Sequence, residues 1–324
     1  MKIKSTKFSL NKVQIIVRYC SIEEPYWNAF INHYYSLDVR IINIIVQNKK
    51  DIISLKRFNY PNDLDLYFFE SKEKDPNKGL INFNLNLVKN KSKYTLLLDC
   101  DEFIYCFNDK LDFSKLLDKK KSLNIRWLIN PLTNKKSLSS GFYGTECKQI
   151  AISNRLIRIQ NCHKFDTLDN QNNEEEATIY GIVLLHNWSR SLIDCLLKSS
   201  YSKIKNEKTV DQKNIVKNLK NGKLNSRAKY LAFLDIQNRY IVGINDNYIK
   251  LFNYQKEQEL IMEKFSDVDI KLFFELYQEY KLKLIRNLQY LENFPPFDGN
   301  IISQMKRFNS KVFSTKLLLM DSMK

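Results

Sequence analysis

The sequence predicts an α/β protein: a mostly parallel central sheet flanked by helices, with a helical extension at the C-terminal end. Three observations lead there. In the first hundred residues, short β-branched apolar runs alternate with helical patterns, the signature of β-α-β units. One of those runs, Tyr94-Thr95-Leu96-Leu97-Leu98, passes straight into Asp99, Asp101 and Glu102, as a buried strand ending at a ligand-binding edge would. Beyond residue 200 the chain turns Lys/Asn-rich and then carries a long helical period.

Taken in order, Val13–Tyr19 reads as the first strand. Glu23-Glu24-Pro25 opens a helix, with acids before the first turn and a proline where a missing N–H costs nothing. Trp27, Phe30, Ile31, Tyr34 and Tyr35 give that helix one apolar face. Arg40–Val46 is a second buried strand, with 47–51 as the loop beyond it. A short helix near Ile52–Phe58, a strand at Leu66–Phe69 and a helix at Leu80–Lys89 lead into the Tyr94 strand. With right-handed crossovers, all four strands end on one side. That side collects Tyr19 to Glu24, Asn48 to Asp51 and Asp99 to Glu102.

Further on, Leu111–Lys120 reads as helix, Asn124–Asn130 as strand and Lys135–Glu146 as a polar loop. Gln149–Ser153 and Leu156–Ile159 are short strands, Asp166–Glu176 a surface loop and Ile179–Leu185 a strand. Ser189 is placed to cap a helix running to Lys198. Ser266 and Asp269 form a capping box before Leu272, Phe273, Leu276, Tyr280, Leu284, Leu288 and Leu291, a helix that ends at Pro295-Pro296. The division expected is a catalytic domain over 1–200 and a helical extension over 201–324.

Composition excludes several classes. The 7 glycines form no G-x-G-x-x-G and no G-x-x-x-x-G-K-[ST], against Rossmann dinucleotide enzymes and P-loop kinases. The net charge of +16 is spread over both halves rather than drawn into a stripe. That distribution suits anionic ligands, or peripheral contact with an anionic membrane, and argues against specific nucleic-acid binding. The 6 cysteines contain no C-x-x-C pair, as expected of thiols in a reducing cytoplasm. No apolar run is long enough to span a bilayer.

The chemistry concentrates at the acids. Asp99 and Asp101, two apart, share a side if the strand stays extended, and paired carboxylates call for a cation such as Mn²⁺ or Mg²⁺. His186, ending a buried strand, stands where a third metal ligand would. Lys198 reads as a phosphate contact or a solvated lysine, and Trp188 as a sugar-stacking ring or a core plug. His33 reads as a helix histidine bonded at the domain edge, and His163 as a loop histidine or a ligand contact. Asp63-x-Asp65 precedes its strand and reads as loop.

These pieces, in this order, resemble the GT-A-fold glycosyltransferases, in the family 2-like and family 92-like group. Leu98-Asp99-Cys100-Asp101-Glu102-Phe103 matches that group's D-x-D-E-F signature. Glu23-Glu24-Pro25-Tyr26 resembles its N-E-x-x-Y entry, Trp27 to Tyr34 its following helix, and Asn48 to Asp51 its second loop. His186 and Lys198 resemble its C-terminal histidine–lysine segment. Ile22 replaces the entry asparagine, Tyr34 a second histidine, and Lys49-Lys50 small residues.

The resemblance implies a metal-dependent transfer of a sugar from a nucleotide-sugar donor to a glycan or glycoconjugate acceptor. Asp99, Asp101 and His186 would hold the metal. Tyr19, Glu23, Asn48, Asp51, Asp99, Trp188 and Lys198 would contact the donor, and Glu102, Glu146 or Asp166 would serve as base. Two rivals stand beside it. A haloacid-dehalogenase-like phosphatase would use Asp99 as nucleophile, although Phe103 departs from that family's motif. A non-catalytic glycosyltransferase-like scaffold would bind without turnover.

Overall fold

The computed structural model describes residues 8–73, 75–108, 111–130, 142–168, 175–201, 212–237 and 251–288. In chain order the elements are β1 (Val13–Tyr19), α1 (Glu24–Ser36), β2 (Ile41–Val46), α2 (Lys49–Leu55), β3 (Asp65–Glu70), α3 (Pro76–Ile81), β4 (Tyr94–Asp99) and β5 (Glu102–Cys106). Then come α4 (Phe113–Lys120), β6 (Ser122–Asn130), β7 (Phe142–Ile152), β8 (Leu156–Ile159), β9 (Phe165–Thr167), β10 (Glu175–Glu176) and β11 (Ile182–Asn187). Helices α5 (Leu192–Tyr201), α6 (Gln212–Lys220), α7 (Ser226–Gln237), α8 (Tyr254–Met262) and α9 (Asp267–Leu288) complete the described chain.

One large sheet runs in the order β3-β2-β1-β4-β7-β6-β11-β5, with β10 beside β6. The strands β3, β2, β1 and β4 are mutually parallel, as the β-α alternation requires. β7 then joins β4 antiparallel, and β5 closes antiparallel on β11. β8 and β9 form a separate two-stranded sheet. The α/β class with a mostly parallel sheet and a helical C-terminal part is therefore the fold of this chain.

A polar knot fixes the centre of the parallel strands. Gln14 on β1 is fully buried and donates through Nε2 to Thr95 Oγ1 at 3.0 Å and to the Val88 carbonyl at 2.9 Å. Its Oε1 accepts from Asn43 Nδ2 on β2 at 2.9 Å. One side chain thus ties β2, β1 and β4, so a register slip would strand several buried polar groups.

Several boundaries differ from the sequence reading, each for a local reason. The helix expected over Leu80–Lys89 is instead α3 and a single 3₁₀ turn at Leu85–Leu87. Asp75 caps α3 through the Asn77 N–H, and Asn84 takes the Asn86 N–H, so asparagine–backbone bonds outcompete helix propagation. The polar loop expected up to Glu146 is strand from Phe142 onward, and its earlier part lies outside the described residues. In the expected surface loop, Asp166 and Thr167 belong to β9 and Glu175–Glu176 to β10. The strand expected from Ile179 starts at Ile182, because Ala177–Tyr180 form a 3₁₀ turn closed by Gly181 at φ 79°. Ser191, not Ser189, caps α5, accepting the Asp194 N–H at 3.0 Å.

The described residues fall into two compact units. One is built from the chain up to Leu128 and from Tyr143–His186, the other from the chain after His186 together with Ile129, Asn130 and Phe142. In the second unit α7 and α6 pack on α9, and α5 packs on α8. The capping box at the start of α9 forms as read, with the Asp269 N–H on Ser266 Oγ at 3.2 Å and the Ser266 N–H on Asp269 Oδ2 at 3.3 Å. The end of that helix beyond residue 288, with Leu291 and the proline pair, lies outside the described residues. No described helix is long and apolar enough to cross a membrane.

A buried ionic cluster joins α5 to α8. Arg190 pairs with Asp194, its Nε lies 3.6 Å from Glu257 Oε2, and Ser191 donates to Glu257 Oε1. Burial, with Asp194 adding to it, pushes the Glu257 carboxyl up to about 7 against the opposing Arg190.

Two measurements check these features. Gln14→Leu should cost about 2–4 kcal/mol, seen as a lower urea midpoint at unchanged slope, because it leaves Asn43 and the Val88 carbonyl without their buried partner. For Glu257, the native state holds a proton that the unfolded chain, near 4.5, has released. Its contribution to stability is therefore full below about pH 4.5 and is lost as pH rises towards about 7. Thermal melts should show that decline in the wild type and not in Glu257→Gln.

Candidate active site

The site is built at the carboxyl end of the parallel strands. β4 ends at Asp99, Cys100 and Asp101 form a turn, and β5 starts at Glu102. The extended geometry that would put both aspartates on one side is thus broken at Cys100. Each acid of the turn meets a different environment.

Asp99 is held between two cations. Arg18 is its cross-strand partner on β1 and donates from Nε to Oδ1 at 2.5 Å. Lys148, from β7, donates from Nζ to Oδ2 at 2.8 Å. Burial alone would raise this carboxyl, but Arg18 and Lys148 outweigh it and hold the group well below the usual carboxylate range. Lys148 itself is completely enclosed: it also donates to the Cys162 carbonyl at 2.7 Å and lies 3.4 Å from Glu102 Oε2. Burial would lower its own value, and the two acids more than offset that, so it stays charged.

Glu102 faces inward. Its Oε2 accepts the Asp99 N–H at 2.7 Å, closing the acid turn on itself. Burial, opposed by Lys148 but helped by Asp99 and Asp101, pushes its carboxyl up to about 8. The turn is braced from α1 as well. Tyr34 donates to the Glu102 carbonyl at 2.9 Å and accepts the Ile104 N–H at 3.2 Å. Beside it His33 Nε2 bonds the Ile104 carbonyl at 2.9 Å, and burial lowers the imidazole to about 4. His33 is thus a neutral edge histidine, as its place on the helix suggested.

Asp101 turns to β11. The antiparallel register sets His186 opposite Glu102, and His186 Nε2 lies 3.4 Å from Asp101 Oδ2 with both side chains almost enclosed. Trp127 on β6 packs against His186, ring centroids 4.2 Å apart, and against His163 at 5.2 Å. The Nδ1 of His186 is buried and has no hydrogen-bond partner among the described residues.

Among the described residues, no three His, Cys, Asp or Glu side chains gather as a metal-binding group. Instead of the expected trio of Asp99, Asp101 and His186, the arrangement is a pair, Asp101 with His186, while Asp99 is occupied by cations. The pair still suits Mg²⁺ or Mn²⁺, which are commonly held by one or two protein ligands together with phosphate oxygens. Its 3.4 Å donor spacing is close to the ~3 Å between neighbouring ligands of an octahedral ion.

The other expected site residues are placed as follows. Tyr19, at the end of β1, is buried with its ring 5.2 Å from Trp27 and its hydroxyl unpartnered among the described residues. Glu23 ends the 3₁₀ turn that leads into α1. Asn48 caps α2, accepting the Asp51 N–H at 3.1 Å and donating to the Asp51 carboxylate at 3.0 Å. Burial raises the Asp51 carboxyl. Glu146 on β7 has a side chain 55% exposed, 3.9 Å from His163 Nε2. Asp166 is paired with Arg158 at 2.5 Å.

Trp188 and Lys198 belong to the second unit, where Lys198 Nζ donates to the Trp188 carbonyl at 3.4 Å and Arg227 lies over the Trp188 ring at 4.2 Å. The sequence reading missed Arg18 and Lys148. The one local signal was a lone cation in each of two otherwise uncharged strand segments, Val13–Tyr19 and Cys147–Ile152.

No protein-family model and no curated protein matches the sequence. Among solved structures, a protein from Bacillus anthracis assigned as a glucose-1-phosphate thymidylyltransferase, crystallised with a sucrose, is 12% identical with a TM-score of 0.28, covering 81% of this chain and 98% of that one. A 4-diphosphocytidyl-2C-methyl-D-erythritol synthase from Anaerococcus prevotii is 14% identical with a TM-score of 0.24, covering 79% of this chain and 98% of that one.

Lys148→Met should destabilise the protein by about 3–5 kcal/mol, because it removes the enclosed counter-ion of the buried Asp99 carboxylate and leaves it only Arg18. Glu102→Gln alone should cost much less, since burial already pushes that carboxyl up to about 8 and it is mostly protonated at neutral pH. Urea unfolding of both variants measures it.

Proposed function

We propose that the protein is a divalent-cation-dependent glycosyltransferase that moves a sugar from a nucleotide-sugar donor to a hydroxyl of a glycan or glycoconjugate. The observation that carries the reading is the meeting of Asp101 and His186, 3.4 Å apart, just past the carboxyl end of β4 in a parallel sheet. That edge of an open α/β sheet is where ligands bind. Asp101 and His186 would hold Mn²⁺ or Mg²⁺, which supplies Lewis-acid neutralisation of the charge on the departing diphosphate.

The chain's own groups do the rest. Tyr19, Glu23, Asn48 and Asp51 take the nucleotide side, lying at the ends of β1 and β2. Glu146 is the base that takes the proton of the acceptor hydroxyl, being the exposed acid of the three candidates. Glu102 is enclosed beneath the turn, and Asp166 is engaged by Arg158.

The phosphatase reading needs Asp99 as a free nucleophile. Both its oxygens accept from cations, which holds their lone pairs and lowers their reactivity. The scaffold reading is separated by turnover. With Mn²⁺ present, a panel of sugar nucleotides should yield one or more that the protein hydrolyses slowly, and Asp101→Asn should lower that rate about 10²–10³-fold. Glu146→Gln should slow transfer to an acceptor about 10²–10⁴-fold while leaving donor affinity near the wild type. Metal-dependent donor binding without turnover on any donor or acceptor would establish the scaffold instead. Release of phosphate from monoesters, lost in Asp99→Asn, would establish the phosphatase.

A further inference from the structure

We infer that Arg18 is a diphosphate-binding residue, whose guanidinium takes phosphate oxygens of the ligand at this strand edge. The inference rests on the nucleotide-sugar reading above and adds to it a contact that the metal pair does not provide. Arg18 is the penultimate residue of β1, and the parallel register sets it beside Asp99 at the end of β4. Its guanidinium is gripped on two sides: Nε donates to Asp99 Oδ1, and Nη1 donates to Asn77 Oδ1 in the first turn of α3. Nη2 has no hydrogen-bond partner among the described residues and is not among the solvent-shielded unpartnered atoms. The side chain is 28% exposed. One edge of a fixed, planar donor group is therefore open to solvent beside the acid turn.

Two features separate this arrangement from an ordinary strand-end ion pair. Asp99 already has a cation in Lys148, which is fully enclosed and cannot reach a ligand. Arg18 is the accessible member of the two. Its anchoring also matters, because a guanidinium held by two acceptors loses little further freedom when it binds, and its fork matches phosphate oxygens in a way that an ammonium does not. The sequence supplies the brace at little cost: Asn77 is exposed and serves no core contact.

The test is calorimetric titration of the full chain with inorganic pyrophosphate in Mg²⁺, beside titration with the metal alone. Arg18→Gln should weaken pyrophosphate binding about tenfold or more, as expected for loss of a charge-assisted hydrogen bond, and leave binding of the metal itself unchanged. Arg18→Lys, which keeps the charge and the Asp99 pair, should stay weak because the fork is gone. Asn77→Ala should weaken binding about two- to threefold through loss of the brace alone. Asp101→Asn should show the opposite pattern, losing metal binding first.

Thermal melting reports folding of each variant. If Arg18→Gln does not fold, Arg18→Lys and Asn77→Ala decide. Pyrophosphate affinity equal to wild type in a folded Arg18 variant overturns the inference and leaves the glycosyltransferase reading intact, as does the absence of pyrophosphate binding by a wild type that still hydrolyses sugar nucleotides. Arg18-dependent pyrophosphate binding in a protein that turns over no sugar nucleotide sustains the inference and removes the glycosyltransferase reading.

Discussion

The ammonium of Lys148 is the interaction on which this site depends. A lysine with no solvent contact is expensive unless it finds acceptors and counter-charge, and here it donates to Asp99 and the Cys162 carbonyl and lies 3.4 Å from Glu102. In return it allows two acids of one tight turn to lie within the protein beside a third. Without it the buried Asp99 carboxylate would keep only Arg18 as a counter-ion. The lysine comes from β7, antiparallel to β4, so the strand that breaks the parallel pattern is also the one that delivers the charge.

From that centre the site divides its labour. Asp99 is spent on organising cations. Asp101, beyond the single turn residue Cys100, faces His186 instead. The division follows from Cys100, where the strand stops: neighbours two apart that would have shared a face are sent to different partners. Arg18 and Lys148 flank one acid, and His186 and Trp127 flank the other.

Much of the fold was legible because β1, β2 and β4 are β-branched or leucine-rich runs whose polarity changes sharply at their ends. Val13–Tyr19 is observed with the bounds the sequence implies, and the strand read from Tyr94 to Leu98 runs one residue further, to Asp99. Where apolar spacing was the only guide, local polar chemistry overrode it: Leu80, Leu85 and Val88 look helical, yet the asparagines between them bond their own backbone. β5 is too short to stand out, and its pairing with β11 joins residues some eighty positions apart. Within the site, Asp99, Asp101 and His186 were visible as residue types at strand ends. Lys148 was not, since a lysine between Cys147 and Gln149 looks like a surface position. Only the non-local pairing of β7 with β4 encloses it.

Tyr34 gives the molecule a mechanical linkage. Its hydroxyl holds both the Glu102 carbonyl and the Ile104 N–H, while the other end of the same helix begins at Glu24, next to Glu23 and the end of β1. A helix is stiff along its axis, so α1 fixes the distance between the end of β1 and the root of the acid turn. Because one helix carries both contacts, the root of the acid turn cannot shift away from the end of β1 without breaking the Tyr34 bonds.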